Sequence, residues 1–401
     1  MSCKYKYSDG KKCEEEVMPN SDYCVLHSAV PSNESSENFA NILRLKKNLI
    51  ISKLDIGDYN FEGAHIYKLN LPAQNIEGDM NFNNSIITKY VRFNESHING
   101  NVFFNGSKIL GKIMPDDDES DNHHGTALSF MGTTIGGNIS MNDAEICGNI
   151  AFICIIGKFL YINKTNVDGS IWFCGTEVGG YPSFRNSELQ GDIILKDAKL
   201  GTDTKLIESI KSYGYNVFDD IKIKGVLDII DVKFGDLLTQ EKACRKAKLI
   251  HELVGNKEEA DNHYFHEMEA KRRQKKTVSR YFELFLVQFA FGYGVRPLRV
   301  VGIYFFVIII FAFVFLFGDG AKIEFGIDKA NSMSGYMFLL AEDIRLIIDY
   351  LFISLFNSTN MGYNDYQPTG YILKYLANIE KIIGSFIWAA FIVIFARKYM
   401  R

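Results

Sequence analysis

The 401-residue sequence lacks a nucleotide-binding glycine loop of the usual form, and no spacing in it assembles a hydrolase triad, so no enzymatic activity is expected. It also lacks a strong charge of either sign. The formal net charge of −4 averages a polar stretch up to about residue 280 with a C-terminal part that holds most of the dense apolar runs. A basic surface for nucleic acid is missing: over residues 55–234 Asp and Glu exceed Lys and Arg by about nine, so nucleic acid is not an expected partner. No secretory signal is visible at the polar N-terminus. The seven cysteines are odd in number, and the four beyond Cys24 are scattered. The soluble part therefore reads as cytosolic with reduced thiols.

What is present divides the chain into several parts, as its length allows. Residues 1–28 carry Cys3, Cys13, Cys24 and His27, spaced C-x9-C-x10-C-x2-H. Three thiolates and an imidazole suit a tetrahedral Zn2+ site, and so short a stretch has little core of its own. Four protein ligands leave no open position, so the role expected is structural. The alternative is a tail with incidental cysteines. "SAVPSNESSEN" (28–38) has the composition of a linker.

From about residue 55 the chain repeats. Phe61, Ile66, Leu71 and Ile76 stand five apart, and then the step becomes eleven, with "IEGDMNFNNSI", "ITKYVRFNESH" and "INGNVFFNGSK" starting at 76, 87 and 98. The rhythm resumes at 135 and continues to "LQGDIILKDAK" (189–199). The frame I/V/L-x-G-x-I/V-x-F places apolar residues at alternate positions of a short strand, and the glycine permits the corner before it. Such units bury their inner face only by stacking. A parallel β-helix with about two units per coil is expected, and its two ends, whose strands lack a stacked neighbour, are the expected contact sites for an unknown cytosolic ligand or protein. The acidic interruption with Asp116, Asp117, Asp118, Glu119, Asp121, His123 and His124 reads as a solvated corner loop or a metal site of no familiar spacing.

Residues 239–276 change period to that of a helical hairpin. Leu249, Ile250 and Leu253 form its apolar face, and Gly255 ends the first helix. His263, His266 and Glu267 lie on one helix, as a partly buried face or as metal ligands. "SRYFELFLVQFAFGYG" (279–294) reads as an amphipathic helix at the cytoplasmic membrane interface, closed by a turn at Gly292-Tyr293-Gly294.

Two later segments are apolar enough to span a bilayer: 298–318, and 382–396 extended back through 371–381. Between them "LIIDYLFISLF" (346–356) is too short to cross and suits a re-entrant helix. Basic residues precede the first span and follow the second, while the segment between them is net acidic. Both termini are therefore expected in the cytoplasm.

Span, re-entrant helix, loop and span resemble the two-transmembrane pore of tetrameric cation channels. "YLFISLFNST" looks like the pore helix, "MGYND" like the filter, "YQP" like the exit and "EKIIGSFIWAAFIVIFARK" like the inner helix. The five-step start resembles pentapeptide-repeat proteins. "GYGVRPLR" ahead of the span and "HELVGNKEEADNHYFHEMEAKRR" upstream make the whole chain similar to pentapeptide-repeat ion-channel proteins. The resemblance implies a right-handed β-helix, a homotetramer in the plasma membrane, and a filter of backbone carbonyls at Thr359, Asn360, Met361, Gly362, Tyr363, Asn364 and Asp365 passing K+ or Na+. Aligned on the potassium-channel T-V-G-Y-G-D, only Gly362, Tyr363 and Asp365 match. Asn364 stands at a glycine position, where its tolerance of positive φ helps, and Asn360 replaces the threonine whose hydroxyl forms the innermost ion ring, so the choice between K+ and Na+ stays open. Gly384 reads as a gate hinge or as a close-packing residue. Glu380, a carboxylate at membrane depth, needs a hydrogen-bonding partner.

The organisation expected is a zinc knuckle at 1–28, a linker at 29–54, the β-helix at 55–236, a helical hairpin linker at 237–277, an interfacial helix at 278–297 and a pore domain at 298–401. Within the last, the first span is 298–318, the pore helix 344–357, the filter 359–365 and the second span 371–398. The alternative from another class is a membrane-tethered scaffold with a non-conducting hairpin.

Overall fold

The computed structural model describes residues 2–32, 34–111, 125–210, 217–229, 231–318, 333–359 and 371–399. The acidic interruption at 115–124 and the filter positions Asn360 to Asp365 lie outside the described residues. The chain forms two compact units, Met1–Lys271 and Arg272–Arg401.

The first unit is a parallel β-solenoid. Its first coil contains four two-residue strands, β1 (His65–Ile66), β2 (Leu69–Asn70), β3 (Asn75–Ile76) and β4 (Met80–Asn81). Among the described residues, later coils stack on them into four parallel sheets of seven, seven, seven and five strands. His65 pairs with Ile86 and Ile86 with Lys108, so one coil takes 21 or 22 residues, two of the eleven-residue units. The interruption at 112–124 leaves the register intact, because Lys108 and Ile109 still pair with Glu145 and Ile146. A second excursion, carrying the short helix α2 (Thr204–Ile210; α1 precedes the solenoid and is described below), separates Glu188 from its partner Lys222.

The interior follows from the repeat. Fully buried aliphatic residues of the strands alternate with a second inward position that holds mostly phenylalanine. Phe61, Phe82 and Phe104 stack with centroids 5.2 and 4.9 Å apart, and Phe93, Phe130, Phe152 and Phe173 at 5.3, 5.6 and 5.1 Å. Offset stacking of this kind adds about 0.5–1.5 kcal/mol per pair beyond area burial. Outside the core, asparagine side chains link coil to coil. The Asn83 Oδ1 accepts from the Asn105 backbone N–H, Asn105 from Asn142, and Asn142 from Asn163.

The glycines of the repeat have a different reason from the one the sequence suggests. Many of the left-handed corners, with φ between 53° and 60°, are held by Asn84, Glu95, Asp143, Lys164, Asn186 and Asp197, and Gly106, Gly132 and Gly175 take the same corner in their units, so it is at the other glycine of the frame that the reason differs. Gly157 and Gly179 sit where neighbouring coils nearly touch: a Cβ on Gly157 would lie 2.5 Å from the Gly136 carbonyl oxygen, and one on Gly179 2.1 Å from that of Gly157. Close approach, and not positive φ, requires glycine there.

Both ends of the solenoid carry a cap over part of the open edges expected of it. At the first coil the His65 N–H donates to Leu26 O at 3.0 Å, and both the Ser8 N–H and its hydroxyl bond Glu62 at 2.6 Å. Residues 37–55, expected as linker, form α1 (Glu37–Asp55), capped by the Ser36 hydroxyl and burying Phe39, Ile42, Lys46 and Ile50. At the last coil, α3 (Leu237–Leu253) is capped by Asp236 and bonds the coil through Lys246 Nζ to Ile221 O at 3.1 Å and His251 Nε2 to Leu227 O at 3.2 Å. The buried face of α3 is Thr239, Ala243, Cys244, Ala247, Ile250 and His251. Of the face expected from sequence only Ile250 is buried; Leu249 and Leu253 are 48% and 86% exposed. Gly255 (φ 79°) ends the helix as expected, and α4 (Lys257–Arg273) completes the hairpin.

The second unit begins with α5 (Thr277–Glu283), a π-helical turn (Leu284–Phe289) and the turn at Gly292–Gly294, where all three residues have positive φ. Three long helices follow: α6 (Pro297–Gly318), α7 (Met333–Ser358) and α8 (Tyr371–Tyr399). The helix expected at 344–357 thus begins earlier, at Met333. Val300, Tyr304, Ile308, Ile387 and Ile394 form the core of this unit, with Leu351 and Leu355 of α7 packed against it. Helices α6 and α8 are long and apolar enough to cross a membrane.

Candidate functional site

The four N-terminal residues converge. A small two-stranded knuckle, with antiparallel bridges Ser2–Glu16, Lys6–Lys12 and Val17–Cys24, brings Cys3, Cys13, Cys24 and His27 together, all buried. Their ligand atoms all lie within 4.8 Å of one another. Cys13 and Cys24 Sγ are 3.9 Å apart, and His27 Nδ1 is 3.2 Å from Cys24 Sγ and 3.6 Å from Cys3 Sγ. Zinc–sulfur bonds near 2.3 Å set tetrahedral edges of about 3.8 Å, so the set fits a metal ion such as zinc with small adjustments. His27 Nε2–H donates to Glu62 O at 2.9 Å, which fixes the tautomer and leaves the Nδ1 lone pair for the metal. Burial pushes the Cys24 thiol up to about 12 and holds His27 below its ordinary value. Metal binding would therefore release thiol protons and stabilise the knuckle.

Two further residues support this centre. Lys46 of α1 is buried, and its ammonium donates to Val25 O, Leu26 O and Ser28 O at 2.6, 3.1 and 2.7 Å, which fixes the turn carrying Cys24 and His27. Tyr5 stacks on the His27 ring at 4.1 Å. Neither has a sequence signature, since a lysine on a helix is normally solvated.

The second candidate site lies where α7 ends. The Ser354 hydroxyl lies 2.9 Å from Ile308 O of α6, and the hydroxyls of Tyr304 and Ser358 are 2.9 Å apart. Glu380 of α8 is 0% exposed and accepts from the Ser354 hydroxyl and the Asn357 amide, which also donates to Ala377 O at 3.0 Å. The partner expected for Glu380 is thus present on α7. Gly384 faces the same place: a Cβ there would lie 2.3 Å from Ser358 O and 2.9 Å from Ser358 Cα. Thr359, the one described residue of the candidate filter, closes the last turn of α7 by donating to Leu355 O at 3.0 Å. Tyr304 is a signal the sequence offers and periodicity overlooks, being the only hydroxyl between 300 and 318.

The set His263, His266 and Glu267 is not brought together. His263 is buried, Glu267 accepts from Arg245 Nε at 2.8 Å, and His266 pairs with Glu269 at 3.7 Å. No protein-family model, curated protein or solved structure matches this chain.

Proposed function

We propose that the chain is the subunit of a homotetrameric cation channel, with a potassium-channel-like pore built from α6, α7 and α8 and a pentapeptide-repeat-like, right-handed β-helix on its cytosolic side. The observation that supports this furthest is the polar anchoring of the end of α7 between two apolar helices. A hairpin that only tethers a solenoid has no use for a fully buried carboxylate, which is costly unless hydrogen-bonded. A filter does: its carbonyls replace an ion's water shell, so the helix that leads into it must be held in place. The negative end of the α7 dipole then faces the cation path. In this reading α6 and α8 cross the plasma membrane with both termini in the cytoplasm, Zn2+ occupies the knuckle, and K+ or Na+ passes the loop from Thr359 to Asp365.

The test is the reversal potential of the full-length protein in planar bilayers with potassium on one side and sodium on the other. A shift toward the potassium equilibrium value assigns a selective filter despite Asn360 and Asn364. Reversal near zero with anions excluded assigns a non-selective cation pore. Absence of current from a tetrameric preparation, persisting in the Asn360→Thr/Asn364→Gly variant, overturns the proposal in favour of a scaffold.

A further inference from the structure

The last coil of the solenoid and the hairpin α3–α4 line an open cavity of about 460 Å3, within the range of small-molecule sites. Its most buried polar wall is His263, 4% exposed, whose ring lies tilted against that of His251, centroids 5.0 Å apart, and makes no hydrogen bond with any described residue. His251 beneath it is equally buried; its Nε2 is spent on Leu227 O and its Nδ1 has no partner. Burial, helped by His251 and His266, pushes His263 down to about 4, so its imidazole is neutral and keeps an acceptor nitrogen. A polar ring in this state, facing a cavity, is a group awaiting a partner.

The remaining lining defines that partner. Asp231 and Glu259 contribute carboxylates, Gln240 and Asn262 amides, and Phe234 with its neighbours on the coil an apolar wall. No lysine or arginine is among the lining residues, so the cavity offers no permanent positive charge to a phosphate or a carboxylate. A bare metal ion also fits poorly. Among the described residues, only the N-terminal set brings three or more ligand atoms within 4.8 Å, and the cavity is far larger than an ion.

We infer that this cavity binds a small organic cation, a protonated amine or guanidinium carried on an apolar body. The cationic head lies between Asp231 and Glu259, the body rests on Phe234, where a cation–π contact adds to burial, and an N–H of the ligand donates to His263. The inference does not rest on conduction, because binding is read without a current.

The experiment is calorimetric titration of the full-length, zinc-loaded protein in detergent micelles with tryptamine and with agmatine, beside two isosteres of the first, anionic indole-3-acetate and neutral 3-methylindole. Expected is one site per chain for at least one amine, at least tenfold weaker binding of the anion, and movement of the His263 ring 15N signals on binding. The Asp231→Asn/Glu259→Gln variant should lose at least tenfold in affinity with unchanged amide exchange in α3 and α4; asparagine suits the left-handed backbone at position 231 (φ 55°). Equal binding of amine, neutral and anionic compounds, or no heat from either amine at millimolar concentration, overturns the inference. So does a second Zn2+ per chain that disappears in His263→Gln, which would assign the cavity to a metal.

Discussion

Replacing Gly384 by alanine tests the arrangement at the end of α7. The added Cβ would stand 2.3 Å from the Ser358 carbonyl oxygen, where ordinary contact begins at 3.4 Å, so α7 and α8 must separate locally by roughly 1 Å. The obstacle is backbone, which cannot turn aside as a side chain can, and overpacking of this kind costs about 2–3 kcal/mol. Alanine recovers up to ~1 kcal/mol through its better helix propensity, so the net expected loss is about 1–2 kcal/mol. Gly302 on α6 supplies the control, because a Cβ there meets nothing within 4 Å. Gly302→Ala should therefore gain up to ~1 kcal/mol, and the two variants should differ by roughly 2–3 kcal/mol. Trp388 packs on Tyr304 at 5.8 Å, so its fluorescence reports α6–α8 contact. Unfolding by SDS in mixed micelles, in a Trp172→Phe background, measures both variants. A Gly384→Ala protein as stable as Gly302→Ala would refute the packing argument. If its gating were altered at unchanged stability, Gly384 would be read as a hinge instead.

Zinc should be retained at one ion per chain and lost in Cys13→Ser, with amide exchange accelerating across 2–28 while the central coils stay protected; a variant that keeps its zinc would show that another set of ligands holds it. Phe130→Ala, which removes a ring stacked on both sides and fully buried, should cost about 3–5 kcal/mol of solenoid stability in denaturant unfolding of the full chain. His263 sets a pH dependence for the hairpin. Its folded value near 4 lies below the ordinary 6.5, so the unfolded chain binds the extra proton, and stability is complete above pH 6.5 and falls as pH drops from there toward 4. The loss is at most about 3 kcal/mol, read as amide exchange in α3 and α4, and it should disappear in His263→Gln.

The solenoid is legible in the sequence because its inward positions tolerate only one kind of residue. Ile, Val, Leu and Phe return every eleven residues, and a coil of 21 or 22 residues follows from two such steps. The two helices that close its ends are less legible for opposite reasons. In α1 a lysine, Lys46, occupies an inward position, which spoils the apolar stripe; burial pushes it down to about 7, and three carbonyls from residues 25–28 meet its amino group. In α3 the buried face is made of small residues, Ala243, Cys244 and Ala247, since the helix lies close on the coil, while the larger Leu249 and Leu253 point outward.

The candidate sites divide along the same line. Cys3, Cys13, Cys24 and His27 are readable from residue type because thiolates and an imidazole at short range have one common use. Glu380 is readable as a residue in need of a partner, but that Ser354 and Asn357 meet it depends on how α7 crosses α8. His263, His266 and Glu267 mislead, for spacing along one helix cannot reveal that Arg245 on another takes the carboxylate. Periodicity reports what an element buries as a repeating face. It says nothing about a single polar side chain whose partner arrives from a distant segment, as for Lys46, Tyr304 and Glu380, or about one that faces a cavity, as for His263. The residues on which both the pore reading and the cation cavity depend are therefore those that a pattern-based reading treats as interruptions.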